Sequence, residues 1–179
     1  LVFGIYVQYK MVPMVASQRK IGTSYMTMNN DFYKIVNAEI EKEVDGQGDI
    51  LYTRDPALSV EKQCQQIESF IEKDVDLMII NPVDSGSQDI RKALEKARKK
   101  GIYIVVVDSQ LKDDQVADVT IVSDNYQAGV LDARHMMATL PRADILLLEH
   151  ADTLSAVARI EGFLDTIAAH PQYRVVARR

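Results

Sequence analysis

Residues 21–33 read IGTSYMTMNNDFY, and this stretch predicts a strand that runs directly into a helix. The apolar run Ile21–Met26 alternates poorly, as a parallel strand buried on both faces does, and we predict it to be an inner strand of its sheet. Asn30 and the asparagine before it follow, and their amide groups both donate and accept hydrogen bonds, which suits the hydroxyl groups of a ligand. Phe32 and Tyr33 then offer flat apolar ring faces, which suit the C–H face of a sugar ring. The corner between strand and helix is therefore a candidate ligand-binding site.

The rest of the chain repeats this unit of a strand followed by a helix. We predict further strands at Ile50–Thr53, Leu77–Ile80, Ile102–Val107, Val119–Val122, Ile145–Leu148 and Arg174–Ala177. Strands that alternate with helices in this way predict an α/β fold, a parallel sheet with helices on both faces. Right-handed crossovers place the carboxyl ends of the strands at one edge of the sheet, and ligands bind beyond that edge in open sheets.

Three features predict details of the helices. Asp55 followed by proline predicts a helix start, with the aspartate as cap and the proline at the first helical position. Asp84 or Ser85 is expected to cap the helix that follows the third strand. The buried face of the first helix is predicted from a spacing of four residues, at Phe32, Val36, Ile40 and Val44.

Composition excludes several classes of protein. The 179 residues are 47% hydrophobic and carry a net charge of −5, which fits a globular α/β protein and shows no basic patch for nucleic acid. The single cysteine, Cys64, rules out an internal disulfide and lies on an apolar helical face, where it is expected to be a small core residue. No phosphate-binding glycine loop, no nucleophile elbow and no pair of residues at metal-ligand spacing is present, so neither an enzyme, a cofactor nor a metal site is indicated.

Two charged side chains have both a structural and a functional interpretation. Asp108 ends the strand IYIVVVD, where its carboxylate could accept hydrogen bonds from two neighbouring hydroxyl groups or could cap the next turn. Arg159 lies in the helix after the sixth strand, where its guanidinium group could bind hydroxyl groups or a carboxylate, or could simply lie at the surface. Spacing alone does not decide between these roles.

The first 20 residues differ from the rest of the chain. The segment LVFGIYV at residues 1–7 is apolar but too short to span a bilayer. We interpret residues 1–20 as the remnant of a signal peptide or membrane anchor plus a linker, and a packed N-terminal arm is an equal alternative.

Five segments occur in the order and spacing of one known family: TMNNDFY at 27–33, LMIINPVDS at 77–85, VVVDSQ at 105–110, VSDNYQAG at 122–129 and SAVARIEGF at 155–163. They resemble the type I periplasmic binding proteins of the ribose/galactose-binding group. The resemblance implies two lobes with a sugar-sized ligand between them and closure about a hinge when the ligand binds.

The resemblance also implies which residues bind the ligand. Carried over by position, Asn30, Phe32 and Tyr33 would contact the ligand from the first lobe. From the same lobe, Asp108 would bind its hydroxyl groups.

The resemblance places two further residues at the ligand-binding site. Arg159 would reach the ligand from the second lobe. Ser109, which we also expect at the site, stands where ribose binders tend to have arginine, and this favours another sugar, a polyol or a related small polar molecule.

The resemblance further implies the domain organisation and the partners. Residues 21–123 would form the first lobe and residues 124–179 the start of a second, incomplete lobe, since family members continue further. The protein would be extracytoplasmic and would deliver its solute to the permease of an ABC importer. As an alternative, it would be the sensing domain of a membrane-anchored signalling receptor. A repressor effector domain and an enzyme on a flavodoxin-like sheet are weaker alternatives, because no DNA-binding head or nucleophile is visible.

Overall fold

The computed structural model describes residues 18–112 and 115–179. The predictions for residues 1–17 lie outside the described residues. The described chain alternates strands and helices in the order β1 (Lys20–Ser24), α1 (Asp31–Gly46), β2 (Ile50–Arg54), α2 (Val60–Glu72), β3 (Leu77–Ile80), α3 (Gln88–Lys99), β4 (Tyr103–Val107), β5 (Val119–Ile121), α4 (Asn125–Thr139), β6 (Ala143–Leu147), α5 (Leu154–Ile167) and β7 (Tyr173–Arg178).

The strands form two parallel sheets. The larger has the order β2-β1-β3-β4-β5, and the smaller pairs β6 with β7. The prediction of β1 as an inner strand, with β3 and β4 as parallel members of the same sheet, is confirmed. We name residues 18–121 the five-stranded unit and residues 125–179 the two-stranded unit.

Helices cover both faces of the five-stranded sheet, as the sequence predicts. Gly22 of β1 faces α2, and a Cβ atom at this position would lie 2.8 Å from the ring of Phe70. The next residue, Thr23, faces α1 and donates a hydrogen bond to Asn37 Oδ1 at 3.1 Å. Successive residues of a strand point to opposite faces, so α1 and α2 lie on opposite sides of β1. The main core lies on the α2 side, where α2 and α3 pack on β3 and β4.

The predicted start of α2 is wrong by four residues. The helix begins at Val60, and the hydroxyl of Ser59 caps it by accepting from the Lys62 amide at 3.2 Å. Asp55 instead accepts a hydrogen bond from the Ala57 amide at 2.8 Å and closes a turn. Ala57 has a φ of +50°, and the next residue also has a positive φ, so the backbone here cannot belong to a right-handed helix.

The predicted cap of α3 is also wrong. Ser87 caps this helix, because its hydroxyl accepts from the Ile90 amide at 3.3 Å. Asp84 accepts from the Gly86 amide at 2.7 Å and forms a tight turn before the helix. Ser85 is buried, and its hydroxyl oxygen lies 3.2 Å from that of Ser109.

The buried face of α1 differs from the predicted one. Tyr33, Asn37 and Val44 are buried. Phe32, which the spacing of four residues placed on the buried face, is 52% exposed. Val44 is buried as predicted, and Val36 and Ile40 are half-buried. Over the first two turns the face is shifted by one residue because Tyr33 and Asn37 reach polar partners, which a count of apolar residues does not detect.

The two-stranded unit is organised around a close contact of its two helices. A Cβ atom at Gly129 of α4 would lie 1.9 Å from the carbonyl oxygen of Arg159 in α5. A Cβ atom at Gly162 of α5 would lie 2.1 Å from the carbonyl oxygen of Tyr126 in α4. The backbones of the two helices therefore touch, and only glycine fits at either position. A small core of Ala133, Ile167 and Tyr173 lies between this helix pair and the sheet.

Cys64 lies on α2, is partly buried, and packs against the main core. Burial raises the pKa of its thiol. The expectation of a small core residue rather than a reactive thiol is in keeping with both observations, since the thiolate is the reactive form.

Candidate functional site

Asp108 follows β4 at the carboxyl edge of the five-stranded sheet. Its φ is +67°, a left-handed conformation that aspartate and asparagine tolerate better than other residues with a side chain. Its amide donates to the carbonyl oxygen of Ile121 at 2.8 Å, which anchors the turn to β5. The backbone thus fixes the direction of the carboxylate before any ligand binds.

The two carboxylate oxygens of Asp108 have different surroundings. The hydroxyl of Tyr33 donates to Oδ2 at 2.9 Å, and Asn81 Nδ2 lies 3.5 Å from the same oxygen. Oδ1 has no hydrogen-bond partner within residues 18–112 and 115–179. Burial, together with the neighbouring carboxylate, raises the pKa of Tyr33, so the phenol stays protonated and remains a donor. One oxygen of Asp108 is thus held by the protein and the other is free to accept from a ligand.

Asn81 joins the ends of three strands beneath this carboxylate. The side chain is fully buried, and its Nδ2 also donates to the carbonyl oxygen of Val107 at 3.1 Å. Its Oδ1 accepts from the amide of Met26 at 3.1 Å, just beyond β1. Gln63 of α2, which is also fully buried, donates to the carbonyl oxygen of Asn81 at 2.9 Å. Asn81 belongs to the segment LMIINPVDS that carries part of the family resemblance, but sequence reasoning gave it no role.

The aromatic residues at the start of α1 form a stack. The rings of Tyr25 and Tyr33 are stacked with centroids 5.7 Å apart, and Phe32 meets Tyr33 edge-on at 5.3 Å. Tyr33 contacts both other rings and is buried, whereas the ring of Phe32 is exposed to solvent. Asn30 caps α1 by accepting from the Phe32 amide at 2.9 Å, which leaves its NH₂ group free to donate.

Arg159 lies on α5, and its side chain reaches α4. Its Nη2 donates to Asn125 Oδ1 at 2.6 Å. Asn125 is buried, and its Nδ2 donates to the carbonyl oxygen of Ser123 at 3.0 Å. Arg159 is therefore held in place by a residue that sequence reasoning missed, although Asn125 belongs to the segment VSDNYQAG that carries part of the family resemblance.

A cavity of about 120 Å³ lies where the two units meet. Its walls come from the five-stranded unit, from the segment that joins the units, and from α4 and α5: Asp108, Gln110, Val122, Ser123, Asp124, Asn125, Leu154, Ser155 and Ala158. Asp108 thus shares a cavity with Asn125, the partner of Arg159. The structure brings the predicted residues Tyr33 and Asp108 into contact and places Arg159 next to the opposite wall.

Ser109, unlike Asp108 beside it, is almost fully buried, with 1% of its surface exposed. Its hydroxyl lies 3.2 Å from that of Ser85 and 3.4 Å from the amide of Ser155 in α5. Its side chain is thus engaged with the two-stranded unit.

Among residues 18–112 and 115–179, no group of three or more His, Cys, Asp or Glu side chains could hold a metal ion. No helix in the described ranges is both long enough and apolar enough to cross a membrane.

Comparison with known proteins identifies the family. Residues 21–179 match the model of the periplasmic binding protein domain. The ribose import binding protein RbsB of Bacillus subtilis (strain 168) is 33% identical over 145 residues, which cover 80% of this chain and 47% of that protein. The D-apiose import binding protein of Actinobacillus succinogenes is 28% identical over 120 residues, 66% of this chain and 38% of that protein.

Solved structures agree with this assignment. The arabinose-binding component of an ABC transporter from Shewanella sp. ANA-3 superposes with a TM-score of 0.80 at 26% identity, covering 89% of this chain and 54% of that one. The fructose-binding periplasmic domain of a hybrid two-component system superposes with a TM-score of 0.83 at 23% identity, covering 90% and 53%. The chain thus spans about half the length of these proteins.

The named relatives are solute-binding proteins rather than enzymes, and family membership implies an extracytoplasmic location. The resemblance inferred from the five sequence segments is confirmed. This chain belongs to the periplasmic binding protein domain family.

Proposed function

We propose that this protein binds a sugar or polyol in the cleft between its two units and delivers it to an ABC importer. The observation that carries the proposal is the state of Asp108. One carboxylate oxygen is held by Tyr33. The other has no partner among the described residues, and the carboxylate lies at a cavity whose far wall belongs to α4 and α5. We propose that residues 21–123 and 124–179 belong to the two lobes on either side of this cleft.

Of the predicted site residues, Asp108 alone lines the cavity itself, and the chemistry of the predicted set supports a neutral polyhydroxylated ligand. Asp108 offers an acceptor, the NH₂ group of Asn30 offers a donor, and Arg159 brings further donors from the opposite side. Phe32 supplies an exposed ring for the apolar face of a sugar. Asp124 adds a second carboxylate to the cavity wall, so the acidic groups would disfavour an anionic solute.

The size of the cavity supports a small ligand. A volume of about 120 Å³ is well below the roughly 300–1,000 Å³ of pockets for drug-sized molecules. The named relatives import ribose and D-apiose, and a structural neighbour binds L-arabinofuranose, so pentoses are the first ligands to test. Ser109 is buried against α5 and stands where ribose binders tend to have arginine, so in our proposal the lack of that arginine favours a pentose other than ribose.

The first experiment removes the free acceptor. Asp108→Ala in the full-length protein should weaken pentose binding by about 2–4 kcal/mol, because a hydrogen bond to a charged group contributes about 1.5–3 kcal/mol and Tyr33 also loses its partner. Asp84→Ala is the matched control, since Asp84 lies at the same sheet edge but does not line the cavity. Titration calorimetry with ribose, arabinose, xylose and apiose measures both. Unchanged affinity in Asp108→Ala would exclude the proposed site, and a wild-type protein that binds none of these, nor fructose or myo-inositol, would exclude the function.

The second experiment separates the two sides of the cleft. Arg159→Ala should weaken binding and leave more of the open form at a given ligand concentration, because it removes a contact made across the cleft. Phe32→Ala should weaken binding through lost apolar contact, with less effect on the empty protein. X-ray scattering with and without ligand reports closure, and normal binding with normal closure in Arg159→Ala would remove this residue from the site.

A sensing role is the second candidate, and it keeps the same binding site. The same fold occurs in the fructose-binding periplasmic domain of a hybrid two-component system, which supports this candidate. A transmembrane segment and a kinase or chemoreceptor region encoded in the same gene would support sensing. A separate permease gene beside a secreted binding protein would support transport.

A further inference from the structure

Helix α5 differs from the other described helices in the way its N-terminus is capped. The helices α1, α2, α3 and α4 each begin with a residue whose side chain accepts a hydrogen bond from the first turn. Thr153, at the equivalent position before α5, makes no such bond. Its hydroxyl instead lies 3.1 Å from Nδ1 of His150. The first amides of α5 therefore need acceptors from elsewhere.

The five-stranded unit supplies these acceptors. The amide of Leu154 donates to the hydroxyl oxygen of Ser85 at 3.2 Å, and the amide of Ser155 donates to that of Ser109 at 3.4 Å. The two hydroxyl oxygens are themselves 3.2 Å apart. Ser85 and Ser109 are 5% and 1% exposed, so water has little access to replace them. They perform for α5 the task that an N-cap residue performs within its own helix.

A backbone hydrogen bond of Ser85 also joins the two units. The amide of Ser85 donates to the carbonyl oxygen of Asp152 at 2.8 Å. Ser85 therefore bonds the two-stranded unit through both its backbone and its side chain. Because Ser109 follows Asp108 directly, one short turn presents a carboxylate to the cavity and a hydroxyl group to α5.

We propose that Ser85 and Ser109 are positioning residues that cap α5 from the other unit and so fix Arg159 relative to Asp108. This inference rests on the proposed function. Arg159 lies about one and a half turns along α5 from the capped amides, so the position of the helix start decides where its guanidinium group stands. If the units rotate apart at this point, the amides of Leu154 and Ser155 lose their acceptors. The two serines therefore favour the close arrangement before a ligand arrives.

The test uses Ser85→Ala, Ser109→Ala and the double variant in the full-length protein. Ser87→Ala is the matched control, because Ser87 caps α3 within its own unit and has no contact with α5. Amide hydrogen exchange, followed by NMR without ligand, should show Leu154 and Ser155 exchanging at least tenfold faster in the double variant and unchanged in Ser87→Ala. Affinity for the best-bound pentose, measured by calorimetry, should fall about tenfold in the double variant, or about 1.4 kcal/mol.

Scattering adds a measurement that a purely local defect would not change. The ligand-free double variant should have a larger radius of gyration than wild type, whereas Ser87→Ala should match wild type. Wild-type Leu154 and Ser155 amides that exchange as fast as an unstructured peptide would overturn the capping, whether or not the variants fold. A double variant with wild-type exchange, affinity and radius would overturn the positioning role. The exchange experiment needs no sugar, so a protein that binds no pentose would contradict the proposed function separately from the cap.

Discussion

The five-stranded and two-stranded units are stabilised in different ways. In the first, α2 and α3 pack side chains such as Phe70 and Leu94 against a broad parallel sheet. In the second, α4 and α5 approach until their backbones touch at Gly129 and Gly162. The first unit thus depends on large buried side chains, and the helix pair of the second depends on their absence at two positions. The most sensitive positions should then be large side chains in one unit and glycines in the other.

The largest effect is expected from Gly129→Ala. The new Cβ atom would lie 1.9 Å from the carbonyl oxygen of Arg159, and a backbone atom of a helix cannot move aside as a side chain can. Overpacking commonly costs about 1–3 kcal/mol, and we expect a cost of about 3 kcal/mol or more here. Urea unfolding followed by circular dichroism measures it, and a loss below 1 kcal/mol would refute the close helix contact.

Two other glycines provide the comparison for this variant. Gly46→Ala, at the end of α1, meets nothing within 4 Å and should be neutral or slightly stabilising. Gly22→Ala would crowd the ring of Phe70, which can shift, so its cost should fall between the two. A cost for Gly22→Ala above that of Gly129→Ala would reverse our view of which unit depends on glycine.

The second effect in size is a loss of stability at high pH that originates in the five-stranded unit. Burial raises the pKa of Tyr25 to about 12 and, with the Asp108 carboxylate, also raises the pKa of Tyr33. Both phenols keep their protons longer in the folded state than in the unfolded state, where tyrosine titrates near pH ~10. Their contribution is therefore complete below pH ~10 and is lost as the pH rises through the folded-state values.

The expected loss is on the order of 1–2 kcal/mol by about pH 12. Urea unfolding at a series of pH values measures it, and the double variant Tyr25→Phe/Tyr33→Phe should have the shallower pH dependence. Tyr126 of the two-stranded unit also has a raised pKa, because it donates a hydrogen bond to Asp165, but it is exposed and Tyr126→Phe should change the dependence little. An equal effect of Tyr126→Phe would contradict this.

A third effect tests a hydrogen bond within the two-stranded unit. The hydroxyl of Tyr173 donates to the carbonyl oxygen of Leu140 at 2.6 Å, just after α4. Tyr173→Phe should cost about 1 kcal/mol of stability without changing pentose affinity, since neither Tyr173 nor Leu140 lines the cavity. Tyr33→Phe, in contrast, should lower the affinity, because it releases Asp108. Thermal unfolding and calorimetry on both variants measure this, and reduced affinity in Tyr173→Phe would contradict it.

The smallest effect should be a gain in stability. Tyr25 is fully buried, and within the described residues its hydroxyl is the one buried side-chain polar atom without a hydrogen-bond partner. A buried polar group without a partner costs free energy, so Tyr25→Phe should stabilise the protein by about 0.5–1 kcal/mol while keeping the stack on Tyr33. A lower melting temperature in this variant would show that the hydroxyl has a partner such as water.

Much of the fold could be predicted because it depends on local patterns. The apolar strands and the alternation with helices gave the parallel sheet and the inner position of β1. The helix starts could not be predicted as well, because several residues compete for the role of cap. Asp55 and Ser59 are both residue types that commonly cap helices. The positive φ values of Ala57 and Leu58 prevent the helix from starting at Asp55, and Ser59 caps it instead.

The residues of the candidate site could be predicted from the sequence, but the hydrogen bonds between them could not. The family resemblance marked Tyr33, Asp108 and Arg159, but the bond from Tyr33 to Asp108 joins residues 75 positions apart. The pairing of Arg159 with Asn125 likewise depends on how closely α4 and α5 approach. Whether Asp108, Arg159 and the other marked residues contact a sugar stays a prediction for the experiments above.

The left-handed backbone at Asp108 limits how this binding site can change over evolutionary time. Asparagine suits the same conformation, so exchange between the two would switch the position between a pure acceptor and a group that also donates. Glutamate would lengthen the side chain but would meet the steric penalty of a positive φ. Few substitutions at this position are therefore accessible. New ligand preferences should arise first at neighbouring positions whose φ is negative, because more residue types are tolerated there.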